Sequence, residues 1–434
     1  MEKLPLEGIR VVAISVVWAG PFASSLLADW GAEVIRVESL HHFTMLTRGF
    51  PMIRPPKELV QARPTWVTAY PNWDPGEKPW NSYPIFQAHG RNKLSCTMDL
   101  RQPRGLALFK ELVAKSDIII ENNPPDTMEK MGITYGTMKE VKPDIIMVSM
   151  PGFGCTGPYR NYRALGANLD EAAGHTWLRR YRDMDPSSAS LILFSDASGG
   201  AHAAFAALTA LRYRNRTGKG QFIDLAQVET LMPYLGEAIM DYTMNKRIQD
   251  TLGNRHPYMA PHGCYRCKGE DRWVVIAVSS QEEWQALCRV MERTDLETDE
   301  RFTDALSRYG NQDELDTIIE EWTSQFEHVE VMNRLQDVGV AAGAVLDDRD
   351  AYDDTHLKAR GFFQEINHPD VGTHPYPGLM WKASKTPNAI RTPPVLLGEH
   401  NEYVYKELLG ISDEEYEQLK EEGHVGTEPS PTAF

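Results

Sequence analysis

The hydrophobic pattern near the start of the chain predicts a strand, a helix and a second strand in succession. Residues 9–17 (IRVVAISVV) are apolar and rich in β-branched side chains, which favour strands. Residues 21–30 carry a helical pattern, and residues 33–37 (EVIRV) form the next apolar run. Pro21 suits a first helical position, and Gly31 suits the left-handed position after a helix. This segment therefore predicts a βαβ unit.

The same alternation of helix and strand continues to about residue 244. It comprises helix 105–115 with strand 118–121, helix 136–141 with strand 145–149, helix 198–214 with strand 221–225, and a long helix through Met244. Near-continuous apolar strands between helices are typical of a parallel sheet covered on both faces. The predicted fold class is α/β, with a Rossmann-like parallel-sheet large domain.

The pattern changes near Pro261 and predicts a smaller α+β domain. Its elements are strand 273–278, helices 281–291, 311–326 and 329–338, and strand 342–346. The expected organisation is a large domain over 1–235, a linker helix over 236–260, a small domain over 261–350 and a C-terminal segment over 351–434. That last segment is expected to end in a charged helix, 413–422, and a loose tail.

A stretch between Leu40 and Tyr83 has little periodicity but holds five aromatic residues, Trp66, Tyr70, Trp73, Trp80 and Tyr83. Two interpretations are open. The stretch is either a long surface excursion or an aromatic lid over a substrate.

Composition narrows the class of protein. The chain has 434 residues, a formal net charge of −16 and 42% hydrophobic residues, which suits an ordered globular protein but not a nucleic-acid-binding protein. It has no long apolar run, and its start lacks the layout of a signal peptide, so we expect a cytoplasmic protein without a membrane partner. Cys264 and Cys267 have no second pair at metal-binding spacing, so no metal site is expected.

Candidate chemistry begins where the first predicted strand ends. Val17, Trp18 and Ala19 lead into the next helix, whose backbone N–H groups suit a phosphate or an oxyanion. The G-x-G-x-x-G spacing of dinucleotide-binding proteins is absent. The basic residues Arg36, Arg91, Lys93 and Lys130 lie in or near predicted strand ends, although each alone is more typical of a solvated surface charge.

Asp196 lies between an apolar run and a helix rich in small residues. The simpler interpretation is a helix N-cap. The functional interpretation uses the same position, because a helix N-terminus stabilises an ionised carboxylate and the small residues beside it leave room for a ligand. The residues alone do not decide between the two.

Seven ordered blocks resemble those of the family III CoA-transferases, the family of formyl-CoA transferase and carnitine CoA-transferase. They are residues 5–39, 89–100 (HGRNKLSCTMDL), 117–133, 150–159 (MPGFGCTGPY), 214–229 (RNRTGKGQFIDLAQVE), 261–278 and 393–400. The resemblance implies a CoA-transferase with Asp196 as catalytic nucleophile. Asp196 would attack an acyl-CoA to give an aspartyl anhydride, and CoA would then give an aspartyl-CoA thioester.

The resemblance also implies a CoA site and no tightly bound cofactor, with acyl-CoA and an organic acid as substrates. The residues expected to bind CoA are Val17, Trp18, Ala19, Arg36, Arg91, Lys93, Met98, Asn122, Asn123, Lys130 and Met131. Lys130 stands where the family often has Arg, so it would meet phosphate as a point charge. The family fold implies that the C-terminal segment completes the large domain and that two chains interlock as a homodimer or as a heterodimer with a paralogue.

Gly166 and Ala167 depart from the family pattern, which usually has Tyr or His followed by an acidic residue. The acidic residue is a base in related acyl-CoA racemases, so its absence disfavours a racemase or isomerase, although that alternative stays open. A second alternative is a non-catalytic CoA-binding subunit. The donor is expected to be succinyl-CoA, and the aromatic stretch favours an aryl-substituted acceptor, as in the family branch that acts on benzylsuccinate.

Overall fold

Six parallel strands form the central sheet of the large unit. The computed structural model describes residues 3–42, 46–49, 52–62, 65–387, 389–431 and 433. The strands are β1 (Arg10–Ala13), β2 (Glu33–Glu38), β3 (Lys93–Thr97), β4 (Ile118–Glu121), β5 (Ile146–Ser149) and β6 (Phe222–Asp224), in the spatial order β3-β2-β1-β4-β5-β6. The order of connection reverses between β1 and β4, which is where open parallel sheets bind ligands beyond their carboxyl ends.

Among the described residues up to Asn245, the structure has eleven α-helices. They are α1 (Ala19–Asp29), α2 (Lys57–Ala62), α3 (Pro79–Ser82), α4 (Pro84–His89), α5 (Pro103–Ala114), α6 (Pro125–Lys130), α7 (Tyr135–Val141), α8 (Gly166–Ala172), α9 (His175–Arg179), α10 (Phe194–Thr217) and α11 (Gly236–Asn245). Side chains of the sheet alternate between two apolar cores. In β1, Val11 packs in the core with α1 and α10, whereas Val12 packs in the core with α5.

The first βαβ unit matches its sequence pattern with one informative difference. Gly31 has φ +102°, as its predicted position after the helix requires. However, β1 ends at Ala13, four residues earlier than predicted, and the helix begins at Ala19, so Pro21 is its third residue instead of its first. Residues 14–18 therefore form a turn beyond the strand, with the Ile14 N–H still bonded to the Ile120 carbonyl at 3.1 Å, and this turn lies at the candidate site.

The smaller unit comprises residues 176–190 and 238–358. Its antiparallel sheet has β7 (His262–Arg266), β8 (Trp273–Ala277) and β9 (Ala341–Ala344), and its helices are α12 (Gln281–Val290), α13 (Ala305–Gly310), α14 (Gln312–Thr323), α15 (His328–Gln336), α16 (Asp348–Asp353) and α17 (Thr355–Ala359). This unit is larger than the domain expected over 261–350. Residues 176–190 join it although they precede α10 in the chain, a long-range association that local patterns do not report.

Residues 359–434 group with the large unit. They form a hairpin of β10 (Phe363–His368) and β11 (Gly372–Pro377), a π-helical segment (Tyr403–Leu408) and α18 (Asp413–Glu421). Thr97, at the end of β3, donates its backbone N–H to Asn401 Oδ1 at 2.8 Å, and its Oγ1 accepts the Gly426 N–H at 3.0 Å. The expectation of a loose tail is wrong for the described residues, because Ser430 bonds to the Leu40 carbonyl and Ala433 is buried.

The aromatic stretch is mainly a packing element. Tyr70, Trp80 and Tyr83 are buried in two satellite cores, while Trp66 and Trp73 are exposed. Three of the five side chains are therefore unavailable to cover a substrate as a lid.

Three further expectations concern membranes, cysteines and metal sites. Among the described residues, no helix has both the length and the apolar character needed to cross a membrane. All five cysteines are free thiols. Within the same described ranges, His, Cys, Asp and Glu side chains form no group of three or more that could hold a metal ion.

Candidate functional site

The turn between β1 and α1 is held in an unusual conformation. Val17 has φ +60°, a left-handed value that a β-branched residue adopts only under strain. The surrounding hydrogen bonds fix it: the Val17 N–H donates to Thr47 Oγ1 at 2.9 Å, and the Asn122 side chain bonds both the N–H and the carbonyl of Val16 at 2.7 and 2.9 Å. Asn122 follows β4, so the two central strands of the sheet cooperate in shaping this turn.

Asp196 lies in the first turn of α10, beside that turn. Its side chain is 7% exposed, and its carboxylate accepts a hydrogen bond from the Ala19 backbone N–H. The two helices approach closely because Gly200 faces α1: a Cβ there would lie 2.8 Å from the Ala19 carbonyl oxygen. A small residue one turn after Asp196 thus brings the carboxylate to the start of α1.

Asp196 is not the N-cap of its helix. The helix begins at Phe194, which makes Asp196 its third residue, and Leu193 at the N-cap position has φ +57° and supplies no side-chain cap. The cap comes from Asp170 of α8, whose two carboxylate oxygens accept the N–H groups of Phe194 at 3.1 Å and Ser195 at 2.9 Å. The capping interpretation of Asp196 is therefore wrong, because the Asp170 carboxylate caps this helix instead.

Gly166, at the start of α8, touches the same carboxylate. A Cβ on Gly166 would lie 1.9 Å from Asp196 Oδ2, well inside any tolerable contact. The Gly166 carbonyl also accepts a hydrogen bond from Ser195 Oγ at 2.9 Å. The glycine that departs from the family pattern at this position is therefore matched to the position of Asp196.

The surroundings make Asp196 a weaker acid than a free aspartate. Burial raises the pKa of the Asp196 carboxyl to about 6, the Ala19 N–H opposes that rise, and the charge of Asp170 adds to it. Such a group is mostly ionised at neutral pH and retains more basicity than an exposed carboxylate.

A cavity of about 210 Å³ lies beyond the carboxyl ends of the central strands. Ile14, Ser15 and Val16 line it from the turn after β1, and it continues into a chamber of about 470 Å³ that shares Arg101 and Met131 with it. Ser15 Oγ is buried and has no hydrogen-bond partner among the described residues. The turn that reaches Asp196 at Ala19 therefore forms a wall of this cavity a few residues earlier.

The walls of the cavity carry charges of both signs, with three guanidinium groups, Arg36, Arg48 and Arg101, and two carboxylates, Glu38 and Asp99. Arg36 and Arg48 share one carboxylate, that of Glu38, and Arg48 holds it in a two-pronged bond at 2.6 and 2.9 Å. Burial alone would raise the pKa of Glu38, but Arg48 and Arg36 hold it well below its usual range. Arg36 Nε lacks a partner among the described residues. Three guanidinium groups with two carboxylates leave one positive charge, which suits an anionic ligand.

Arg91 and Lys93 are occupied elsewhere. Arg91 forms a buried two-pronged ion pair with Asp29 at 2.8 and 3.1 Å, and Lys93 donates to the Pro21 carbonyl at 2.6 Å and to Ser24 Oγ at 2.9 Å. Neither lines the cavity or its chamber. They fasten α1 to β3 and its preceding turn, so their part in any ligand site is indirect.

The remaining predicted CoA residues fall into two groups. Arg36, Met98, Asn123 and Met131 line the cavity, and Lys130 lines the adjoining chamber together with Met131. Val17, Trp18, Ala19 and Asn122 instead form or hold the turn beside Asp196. Trp18 stacks on His89, with ring centroids 5.5 Å apart.

Sequence reasoning missed several lining residues, namely Ser15, Thr47, Arg48, Asp99 and Arg101. Arg101 follows β3, a strand whose mixed sequence KLSCT gave no apolar signal. Arg48 lies in the irregular stretch where no element was predicted. A search for charged residues just after each strand of the sheet would have found Asp99 and Arg101.

The family model described as CoA-transferase family III matches residues 6–401. The chain belongs to CoA-transferase family III. It is a CoA-transferase, and acyl-CoA is the substrate that this family uses. The cavity beyond β1 and β4 is accordingly the candidate site for that substrate.

Relatives of this family III chain share nearly its whole length. The succinyl-CoA–L-malate CoA-transferase beta subunit of Chloroflexus aurantiacus is 31% identical over 420 residues, which cover 96% of this chain and 97% of the relative. The succinyl-CoA–D-citramalate CoA-transferase of the same organism is 30% identical, with 96% and 97% covered. Mouse succinyl-CoA:glutarate CoA-transferase is 28% identical, with 96% and 89% covered.

A solved structure supports the fold. The crystal structure of a CAIB/BAIF family protein from Brucella suis superposes on the transferase with a TM-score of 0.79 at 29% identity and covers 94% of this chain and 100% of that one. The acids in the names of the three relatives, malate, citramalate and glutarate, are aliphatic. They give no support to an aromatic acceptor, which rested on side chains that are largely buried.

Proposed function

We propose that this transferase moves CoA from succinyl-CoA to a dicarboxylic acid, with Asp196 as the nucleophile. The observation that carries the proposal is the placement of the Asp196 carboxylate. It is buried, has a pKa of about 6, accepts the Ala19 N–H and adjoins the turn that walls the cavity. Two relatives that are 31% and 30% identical to this chain over 96% of its length are named for succinyl-CoA and a dicarboxylic acid.

The chemistry would run in four exchanges. An Asp196 oxygen attacks the thioester carbonyl of succinyl-CoA, the C–S bond breaks, and CoA leaves as thiolate with the electron pair. The thiolate then attacks the Asp196 carbonyl carbon and releases succinate, leaving an aspartyl-CoA thioester. The acceptor carboxylate attacks that thioester, again frees the thiolate, and the thiolate finally takes the new acyl group. No net oxidation occurs, and the carboxylate of Asp196 is restored.

The Ala19 N–H is suited to the intermediate steps. Each attack at a carbonyl places negative charge on an oxygen, and a fixed backbone donor at a helix N-terminus stabilises such charge without reorganisation. The strained Val17 keeps this donor in place, because its hydrogen bonds to Thr47 and the adjacent bonds to Asn122 fix the turn.

The cavity would hold CoA. Its phosphates need cations, and the cavity walls carry one more guanidinium group than carboxylates, since Arg36, Arg48 and Arg101 stand with Glu38 and Asp99. Lys130, exposed at the edge of the adjoining chamber, is a further cation and is paired with Asp126 at 3.1 Å. The apolar side chains of Met98 and Met131 suit the less polar part of the ligand.

The direct test is transfer by Asp196→Asn, which keeps the shape of the side chain and removes the nucleophile. The protein is incubated with succinyl-CoA and, in turn, L-malate, citramalate, glutarate and benzylsuccinate, and new acyl-CoA is read by mass. We expect transfer to a dicarboxylic acid by the native chain and none by the variant. Asp348→Asn is the matched control, an exposed aspartate in the first turn of another helix.

Trapping identifies the residue itself. Borohydride added to the native protein with succinyl-CoA should reduce the aspartyl-CoA thioester and change the mass of the peptide that contains Asp196. Full transfer by Asp196→Asn, or a label on another peptide, would remove the proposed mechanism. Solvent deuterium entering the acyl α-carbon without an acceptor would favour the racemase alternative.

We also propose that a second chain covers the exposed side of α10. Phe205 is 70% exposed, and Leu208 and Tyr213 are exposed on the same helix. A group of large apolar side chains exposed together on one helix is unusual on a surface that meets only water. Two of the relatives are named as beta and alpha subunits. Light scattering of this chain alone, and together with a paralogue from the same genome, separates a monomer, a homodimer and a heterodimer.

A further inference from the structure

Asp170 is a buried carboxylate that the transfer mechanism does not use. It is 3% exposed and lies one helical turn after Gly166 on α8. Residues four apart share a face of a helix, so α8 directs Gly166 at the Asp196 carboxylate and Asp170 at the start of the helix that bears it. Both contacts converge on one turn of α10.

The backbone of that turn is oriented by Asp170. Its oxygens accept the first two N–H groups of α10, from Phe194 and Ser195, and the Ser195 hydroxyl bonds back to the Gly166 carbonyl at 2.9 Å. Without Asp170 these two amides would be donors for a neighbouring anion. Asp170 therefore takes up the stabilisation that the helix N-terminus would otherwise offer to Asp196.

Within the described part of the chain, the other elements around Asp196 bring no second charge of this kind. α1 contributes the Ala19 N–H and has no acidic residue in its first turn. The 3-10 segment Gln227–Leu235 contributes the neutral Gln227, which packs against Gly199. His175 packs on the Phe194 ring, with centroids 5.7 Å apart. Glu171 and Glu229 are exposed. The electrostatic partner of Asp196 is thus Asp170.

We propose that Asp170 is a positioning residue that fixes the first turn of α10 and drives acylation of Asp196 by placing a second negative charge beside it. The inference rests on the proposed role of Asp196 as nucleophile. When Asp196 attacks a thioester, its negative charge leaves with the CoA thiolate, so the repulsion between the two carboxylates is relieved in the covalent intermediate. The pair therefore raises the energy of the free carboxylate relative to the acylated one.

The test is Asp170→Asn, which retains one acceptor oxygen but removes the charge. We expect the acidic limb of the kcat/KM profile for succinyl-CoA to move to lower pH and the fraction of enzyme trapped as a borohydride-reducible adduct to fall several-fold. Glu171→Gln is the matched control, because it removes the same charge from the next residue of α8, where the side chain is exposed. Its profile should equal that of the native chain.

Two outcomes would overturn the inference. One is a lower melting temperature with an unchanged pH profile and adduct fraction, which describes a purely structural cap. The other is an equal displacement of the profile in Glu171→Gln. Asp170→Ser, which keeps a neutral acceptor, provides the second variant if Asp170→Asn does not fold. Asp196→Asn separates this inference from its premise. If Asp196→Asn is active, Asp196 is not the nucleophile. If Asp196→Asn is inactive and Asp170→Asn has the native pH profile, only the role of Asp170 is refuted.

Discussion

Gly166 and Asp196 touch so closely that no other residue fits at position 166 without moving the carboxylate. The distance from a Cβ at Gly166 to Asp196 Oδ2 would be 1.9 Å. Gly166→Ala should therefore displace the end of a side chain while leaving the fold intact. We expect kcat to fall roughly 100-fold, the order of loss caused by misplacing a reacting group by about 1 Å. Transfer from succinyl-CoA measures it.

Stability distinguishes this effect from misfolding. Glycine within a helix is less favourable than alanine by about 0.5–1 kcal/mol, so Gly166→Ala should melt at or near the native temperature. Gly136→Ala is the control, since Gly136 is an exposed helical glycine whose added Cβ would meet nothing closer than 3.7 Å. A Gly166→Ala protein that is folded and fully active would contradict the close contact.

The acidity of Asp196 predicts a pH dependence of the first half-reaction. Attack needs the ionised carboxylate, and burial followed by the charge of Asp170 raises its pKa to about 6. We expect kcat/KM for succinyl-CoA to be constant well above this value and to fall about tenfold for each further unit of pH below it. A profile that stays flat to pH 4.5 would show that Asp196 is an ordinary exposed acid or is not the nucleophile.

Arg36 and Arg91, both predicted to bind CoA, should now behave differently. Arg36 lines the cavity, and Glu38 keeps its bond to Arg48 when Arg36 is removed. Arg36→Met should raise the KM for acyl-CoA roughly tenfold or more, the usual loss of a charge-assisted contact. Arg91→Met should leave KM within about twofold but break the buried pair with Asp29, which costs about 3–5 kcal/mol of stability.

Steady-state kinetics and thermal melting of the two variants decide this. A large KM effect in Arg91→Met at unchanged stability would return Arg91 to the ligand site. Equal effects in both variants would show that the buried cations act as one network.

Glu121 predicts how stability varies with pH. It is buried at the end of β4, where it accepts the Asn123 N–H at 2.7 Å and bonds Ser149 Oγ. Burial raises the pKa of Glu121 from its usual 4.5 to about 7, so between these two pH values the folded chain binds a proton more tightly than the unfolded chain. The contribution of Glu121 to the free energy of unfolding is therefore present at low pH and declines as pH rises through this window.

Glu121→Gln removes that dependence. Relative to the native chain, the variant should gain stability from pH 5 to pH 8, measured by urea unfolding at both values. Glu129→Gln is the control, because Glu129 is an exposed carboxylate on α6. A native chain whose stability relative to Glu121→Gln is the same at both pH values would exclude a proton held by Glu121.

The sequence was most informative where one local signal sufficed. The apolar run at residues 118–121 predicted β4 with the bounds that the structure has, and Gly31 correctly indicated the end of α1. The position of Asp196 near the N-terminus of α10 was also visible. Its cap was not, because Asp170 reaches that helix from 24 residues away. The sequence likewise could not show that Lys93 and Arg91 lie outside the cavity walls, because a basic residue after a helix looks the same whether it meets a ligand or, as here, a carbonyl and an aspartate of the protein.

The bonds from Thr97 to Asn401 and Gly426 bear on how the protein is made. They join residues more than 300 positions apart. The edge of the central sheet at β3 therefore lacks these contacts until the C-terminal segment has been synthesised. Most residues of the smaller unit are translated in that interval. Throughout it, the nascent large unit exposes the unfinished sheet edge at β3. During synthesis, this edge therefore stays uncovered until the C-terminal segment is made, and an uncovered edge is where another chain can pair with the sheet.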